Sequence, residues 1–173
     1  DLNININGIN TNIKLIDCVG FITPESIGYE DNIGNPRMVK TPWFNEELPF
    51  VEAAEVGTEK VIKDHSTIGV LVTTDGTIGE ISRESYVPAE ERVVAELKAI
   101  GKPFTIVLNS AEPTSDMAVA LAYELEEKYK APVALVSCAD LDFEDISHIL
   151  ELVLNEFPVA EICFDVPSWI SAL

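Results

Sequence analysis

Asp17 and Gly20 are the first residues in this chain whose types and spacing could do chemistry. They close the segment Ile13-Lys14-Leu15-Ile16-Asp17-Cys18-Val19-Gly20, an apolar run that ends in an acid and, three residues on, a glycine. If the run is a strand, its carboxyl end holds the acid in the crevice where open α/β sheets bind ligands. A carboxylate so placed can order the water shell of a Mg²⁺ ion on a nucleoside triphosphate, and the glycine lets the backbone approach the terminal phosphate. D-x-x-G is a short pattern, and a buried strand that merely ends in an acid and a turn reads the same way. Two later strand ends carry polar residues. Asn109-Ser110 follows the apolar run Phe104–Leu108, and Ser137-Cys138-Ala139 follows Val133–Val136. Both also have a plain reading, as a turn-forming asparagine and as small polar residues that finish a strand.

Positioning these groups takes strands and helices in a definite order. Leu2, Ile4 and Ile6 alternate with Asn3, Asn5 and Asn7, so Leu2–Ile9 reads as a strand with one wet face. Asn7-Gly8 or Asn10-Thr11-Asn12 supplies the turn into a second strand, Ile13–Ile16, giving an antiparallel edge hairpin. Residues 21–49, with prolines 24, 36, 42 and 49 and glycines 28 and 34, read as a long irregular insertion. A helix follows, with Pro49 in its first turn and Phe50, Ala53, Ala54, Gly57 and Val61 at helical spacing. Ile68–Val72 has the continuous apolar character of a central parallel strand. It ends in Thr73-Thr74-Asp75-Gly76, read as turn chemistry without a further role. The next helix is expected to begin near Pro88, with Glu90 and Glu91 in its first turn. Its apolar face is Val93, Val94, Leu97 and Ile100, and Gly101 stops it.

After the strand Phe104–Leu108, Ser115 is placed to cap a helix whose Ala118, Leu121, Ala122 and Leu125 share a face. Val133–Val136 is another core strand. The last helix opens at Asp142 with Asp145 three residues on, a carboxylate variant of the capping box, and Leu141 and Ile146 are set as a staple across it. Ile146, Ile149, Leu150, Val153 and Leu154 form its core face. Val159–Val166 reads as a new strand and Pro167-Ser168-Trp169 as a turn. Strand–helix alternation from Ile68 to Phe157 implies right-handed βαβ units, hence an α/β fold whose mainly parallel sheet is flanked by helices.

Composition narrows the class. The chain has 173 residues, 47% of them hydrophobic, which suffices for one sizeable core. Eleven basic residues against thirty acidic ones leave a net charge of −19 and no visible basic patch, which argues against nucleic acid or anionic lipid as a direct partner. Cys18, Cys138 and Cys163 are odd in number and widely spaced, a pattern that favours reduced thiols and a cytosolic setting. They show no metal-ligand spacing with one another or with His65 and His148. No run approaches the roughly 18 apolar residues of a membrane span, and no signal peptide is expected.

In translation-factor-like P-loop hydrolases, three strand ends in this order carry a metal-side motif and two base-side motifs. Asp17 and Gly20 match the first, Asn109-Ser110 the second and Ser137-Cys138 the third. Guanine-specific members read N-K-x-D at the second, whereas Asn109-Ser110-Ala111-Glu112 lacks both the lysine and the aspartate. Guanine recognition by that pair cannot operate, and a ribosome-associated GTPase is disfavoured on that ground and by the acidic charge. An asparagine amide can still pair with adenine or brace the loops.

Longer stretches carry a more specific likeness. Gly28-Tyr29-Glu30-Asp31, Pro36-Arg37-Met38, Thr41-Pro42-Trp43, His65-Ser66-Thr67-Ile68-Gly69-Val70, Thr73-Thr74-Asp75-Gly76-Thr77-Ile78-Gly79, Gly101-Lys102-Pro103-Phe104 and Pro167-Ser168-Trp169 resemble the stage IV sporulation protein A family of spore coat ATPases. The resemblance covers essentially the whole chain. It implies a P-loop core descended from a GTPase, with Asp17 holding Mg²⁺ through water. It further implies ATP hydrolysis that drives self-polymerisation into the coat basement layer around the forespore. The partners so implied are the chain's own copies, other spore coat proteins and a small amphipathic membrane-anchoring peptide, in the mother-cell cytoplasm at the forespore surface. The family's G-x-x-x-x-G-K-[ST] loop is found nowhere in residues 1–173. The chain is therefore expected to be an interior piece. Residues 1–158 would be the remainder of the ATPase domain, lacking its first strand, and 159–173 the start of the next domain or a connecting strand. Without a phosphate cradle the piece alone is expected to be inactive, since positioning and charge stabilisation are most of phosphoryl-transfer catalysis. The alternative is a non-catalytic self-assembly module with a vestigial nucleotide pocket, using Trp43, Phe44 and Phe50 of the insertion and its flank as a contact surface.

Overall fold

A computed structural model describes residues 2–157 apart from Asn7, Pro24, Ile27 and Asn32. The chain opens on an antiparallel hairpin of β1 (Leu2–Ile6) and β2 (Ile9–Ile13). Ile6 pairs with Ile9, so the hairpin is tight. The wet face is laced by side-chain amides, Asn5 Nδ2 donating to Asn10 Oδ1 at 2.8 Å and Asn12 Nδ2 to Asn3 Oδ1 at 2.9 Å. The expected strand at Ile13–Ile16 is corrected: among the described residues only Ile13 of the four is in a strand. Pairing ends where Leu2 meets Ile13, so Lys14, Leu15 and Ile16 have no strand opposite them among the described residues. They run on as irregular chain, Leu15 is 71% exposed, and no strand delivers Asp17.

The insertion at 21–49 is mostly irregular but contains a short antiparallel ladder of β3 (Met38–Val39) and β4 (Leu48–Pro49). Asp31 organises its far end, accepting hydrogen bonds from the backbone N–H groups of Ile33 and Asn35 and from the Asn35 amide. Pro49 is the N-cap of α1 (Phe50–Lys60), one position earlier than its sequence suggests. Trp43 lies across Gly57 of α1, where an added Cβ would meet its ring at 3.4 Å. A π-helical turn, Val61–His65, extends α1, and Lys102 Nζ donates to the freed carbonyls of Ile62 and Lys63.

The core unit comes next: β5 (Gly69–Thr74), α2 (Arg83–Ala99), β6 (Phe104–Asn109), α3 (Asp116–Tyr129), β7 (Val133–Val136) and α4 (Phe143–Asn155). The three strands form a parallel sheet in the order β5-β6-β7, so the fold is α/β with helices on both faces. Leu71, Ile106 and Leu108 pack with Val94 and Leu97 of α2 and Leu125 and Tyr129 of α3. On the opposite face Val107, Ala134 and Val136 pack against Ile149 and Leu152 of α4. β6 is thus buried on both sides. β5, expected to be central, lies at an edge of the sheet among the described residues. Val70 and Val72 register with Thr105 and Val107, on the α4 face, yet α4 does not reach them and Val72 is 61% exposed.

Helix ends follow the sequence signals where these are local. Ser115 Oγ accepts from Ala118 N, and Asp142 and Asp145 form the reciprocal capping box. Gly101 is left-handed (φ 66°) and closes α2 in a Schellman motif, with Lys102 N–H on the Leu97 carbonyl and Gly101 N–H on that of Lys98. Two expectations are corrected. α2 starts at Arg83, so Pro88 lies inside it, where it costs the hydrogen bond to the carbonyl of exposed Glu84. Ile100 and Ile146 are exposed, so those ends of the two apolar faces do not join the core, and Leu141 is exposed beside them. The expected strand Val159–Val166, the turn at Pro167-Ser168-Trp169 and Cys163 lie outside the described residues.

Candidate functional site

The carboxyl ends of β5, β6 and β7 come together along one edge of the sheet. Asn109 ends β6, and its Oδ1 accepts the backbone N–H of Cys138, beyond β7, at 2.9 Å. Ser110 N–H donates to the Val136 carbonyl at 3.0 Å, and Asp75 N–H, beyond β5, to that of Asn109 at 3.3 Å. Thr77 closes the other side, its Oγ1 accepting from Ala111 N–H at 2.9 Å and donating to Asp75 Oδ1. The three loops are therefore tied to one another by hydrogen bonds. Ser137 Oγ donates to Asp140 at 2.9 Å, shaping the last loop.

This arrangement sorts the expected site residues. Asn109, Ser110, Ser137 and Cys138 are brought together. Ser110, expected to face a nucleotide, is instead fully buried, and its hydroxyl accepts from Glu112 N–H at 3.1 Å. It builds the loop rather than its surface. Asn109 braces two loops through its carbonyl oxygen. The Cys138 thiol is half-buried, and burial pushes its pKa up. Replacing Asn109 by alanine leaves Cys138 N–H without its acceptor, at an expected cost of about 1–2 kcal/mol. Urea denaturation would read that loss, and thiol labelling resolved by peptide mass would show Cys138 reacting faster.

Asp17 and Gly20 stand apart from that group. Asp17 is exposed and lines a cavity of about 320 Å³ with Cys18, Val19, Trp43, Phe50 and the small residues of α1. None of the four strand-end residues borders it. Gly20 adopts a left-handed conformation (φ 81°) that other residues take only under strain, although an added Cβ would meet nothing within 4 Å. It borders a second cavity of about 330 Å³ with Thr23, Thr73, Tyr86 and Glu90, between the chain after it and the face of β5 and α2.

Four polar residues were not foreseen: Asp75, Arg83, Glu90 and Tyr129. Asp75 stands beside the expected set; burial pushes its carboxyl up, but hydrogen bonds from Ser110 and Thr77 outweigh this and hold it below the usual range. Its signal was present, an acid at a strand end followed by glycine, the same grammar as Asp17 and Gly20. Glu90, expected in the first turn of its helix, is buried at 2% exposure and ion-paired with Arg83 at 2.8 Å. Tyr129 donates to Glu90 at 2.7 Å, and Arg83 also reaches Thr73 Oγ1 at 3.4 Å. Nothing in their local sequence announces the pairing.

Residues 1–158 match the family described as "Stage IV sporulation protein A, ATPase domain". The chain belongs to the stage IV sporulation protein A family. It is 50% identical to stage IV sporulation protein A of Bacillus subtilis (strain 168) over 167 residues, 96% of this chain and 34% of that protein. It is 51% identical over 166 residues to the protein of that name from Bacillus anthracis, again 96% of this chain and 34% of the relative. The protein of that name from Clostridioides difficile (strain 630) is 46% identical over 165 residues, 95% of this chain and 33% of the relative. The chain thus spans about a third of the length of the stage IV sporulation proteins it matches. No solved structure matches it. Among the described residues, no helix is long and apolar enough to cross a membrane.

Proposed function

We propose that this chain is part of a P-loop ATPase domain whose parent protein hydrolyses ATP to drive polymerisation into the basement layer of the spore coat. The observation that carries this reading is the carboxyl edge of the sheet. There the loops after β6 and β7 are tied by Asn109 and Cys138, with Ala111, Glu112, Ala139 and Asp140 exposed around them. Such an edge is where open α/β sheets bind ligands. Ser110 and Glu112 stand where a guanine code would need lysine and aspartate, which fits adenine as the base.

The phosphate cradle is supplied by the longer protein. The edge of β5 left free among the described residues can take further strands by backbone pairing, and exposed Leu15 and Ile16 offer a segment able to join it. That docking would carry Asp17 to the carboxyl edge. Asp17 suits Mg²⁺ chemically: the ion keeps most of its waters and needs only one or two protein carboxylates beside the substrate phosphates. Among the described residues no group of three or more acids, histidines and cysteines could hold a metal by itself. When bound, Mg²⁺ would neutralise charge on the β and γ phosphates. The polymer's other contacts, to coat proteins and to a small amphipathic membrane-anchoring peptide at the forespore surface in the mother cell, belong to the same proposal.

Irradiating the full-length protein with 8-azido-ATP tests the base site. Label recovered in the peptides holding 109–112 and 137–140 is the expected result, and label confined to other peptides overturns the reading. A non-catalytic self-assembly module is the competing view, favoured by the exposure of Trp43 and Phe44 in the insertion.

A further inference from the structure

The chain just after Gly20 is strapped onto α2 at two points. At one, the Arg92 guanidinium lies 4.0 Å from the centroid of the Phe21 ring. At the other, Glu25 accepts the backbone N–H of Ser82, just ahead of α2, at 3.3 Å. Thr23 is buried between these points, and its hydroxyl is within 2.7 Å of Ser26 Oγ. Arg92 does more than stack. Its Nη1 and Nη2 form a fork on the two carboxylate oxygens of Glu55 in α1, at 2.8 and 3.1 Å. Its Nε lies 3.4 Å from Glu96, one turn on in α2. One planar ion therefore gives its edges to carboxylates on two helices and its face to the ring beside Gly20. An ammonium, a point charge without a fork or a face, cannot hold those three partners at once.

We infer that Arg92 is a positioning residue: it clamps the Asp17–Gly20 turn to α1 and α2 through Phe21. The clamp itself is independent of what the turn does; its bearing on metal use rests on the ATPase reading above. Phe21 is adjacent to the left-handed Gly20, and Asp17 is four residues from the stacked ring, so fixing the ring limits where the acid can go. Because Glu55 is part of the same cluster, a shift of α1 against α2 would be felt at the turn.

The test uses the full-length protein and its Arg92→Met and Phe21→Leu variants. Native-state cleavage by thermolysin within residues 19–22 is followed by mass, alongside cleavage within 104–109 as a marker of general unfolding. Both substitutions are expected to speed cleavage at 19–22 roughly tenfold, the factor that losing about 1.4 kcal/mol of local anchoring produces, with 104–109 still protected. Arg92→Lys should behave like Arg92→Met. Unchanged cleavage at 19–22 in both Arg92→Met and Phe21→Leu overturns the clamp. If Arg92→Met also exposes 104–109, Phe21→Leu, which leaves the ion pairs to Glu55 and Glu96 in place, decides alone. In the same variants the Mg²⁺ concentration for half-maximal ATP turnover should rise. Faster cleavage with an unmoved Mg²⁺ requirement supports the clamp and removes Asp17 from metal binding.

Discussion

Replacing Arg83 by methionine is expected to lower the folding free energy by about 3–5 kcal/mol, because it leaves a buried carboxylate without its counter-ion. Glu90 is 2% exposed; Arg83 Nη2 donates to its Oε1 at 2.9 Å, and Nη1 lies 2.8 Å from Oε2 as an ion pair without hydrogen-bond geometry. Tyr129 brings another donor from the end of α3, and its own phenol is pushed up to about 12 by burial and by the hydrogen bond to Glu90. The network thus ties the start of α2 to the end of α3 beside Thr73 of β5. Burial pushes Glu90 up, but the hydrogen bonds from Arg83, Tyr129 and Thr73 outweigh it, so its carboxyl sits below the ordinary 4.5. A depressed folded-state value fixes the sign of the pH effect. The stability it confers is fully present above 4.5 and is lost as pH falls through the folded-state value. Asp75, also depressed, adds a contribution of the same sign. Urea denaturation should therefore show a wide gap between the native chain and a Glu90→Gln variant at neutral pH, narrowing below 4.5. Combining Arg83→Met with Glu90→Leu should recover part of the loss, since removing both charges leaves no buried charge unpaired and only the Tyr129 hydroxyl loses its acceptor. A gap that stays constant on acidification would show that the ionised Glu90 carboxylate is not what holds α2 to α3.

What could be read in the sequence was set by how local each signal is. Ser115, Gly101 and the Asp142/Asp145 pair act on groups within one helical turn, so their sequence and their structure agree. β6 and β7 are legible because both are continuous apolar runs between turn residues. Ile13–Ile16 is also largely apolar, but a strand exists only where a partner lies beside it, and among the described residues only Ile13 of the four is paired. Composition does not report that. Pro88 with Glu90 and Glu91 imitates a helix start well. The true start is five residues earlier, and Glu90 belongs to Arg83, two turns back, because both project toward β5 and Tyr129. In the candidate site, the polar strand ends at Asn109 and Ser137 were visible. That Ser110 is sealed inside its loop while Asp75 stands at the edge depends on hydrogen bonds between strands far apart in sequence.

In the full-length protein, Asp17→Asn is expected to cut Mg²⁺-dependent ATP turnover roughly 10²–10³-fold, the scale on which a single preorganised electrostatic contact contributes to catalysis. The substitution keeps the shape of the side chain and removes only its charge. Asp17 is exposed and outside every helix and strand, so folding stability should be unchanged and the loss can be assigned to chemistry. Steady-state phosphate release against Mg²⁺ concentration measures it, and sedimentation of the polymer in the same samples separates the two readings of the chain. If turnover and polymer fail together, hydrolysis drives assembly. If polymer forms normally while turnover is lost, assembly does not depend on hydrolysis, and the exposed Trp43 and Phe44 of the insertion become the surfaces to substitute next. Turnover that survives intact would mean the acid never reaches the sheet edge. In that case the place of Asp17 in this structure, beside Trp43 and α1, is also its place in the working protein, since a carboxylate held in that cavity has no phosphate to serve.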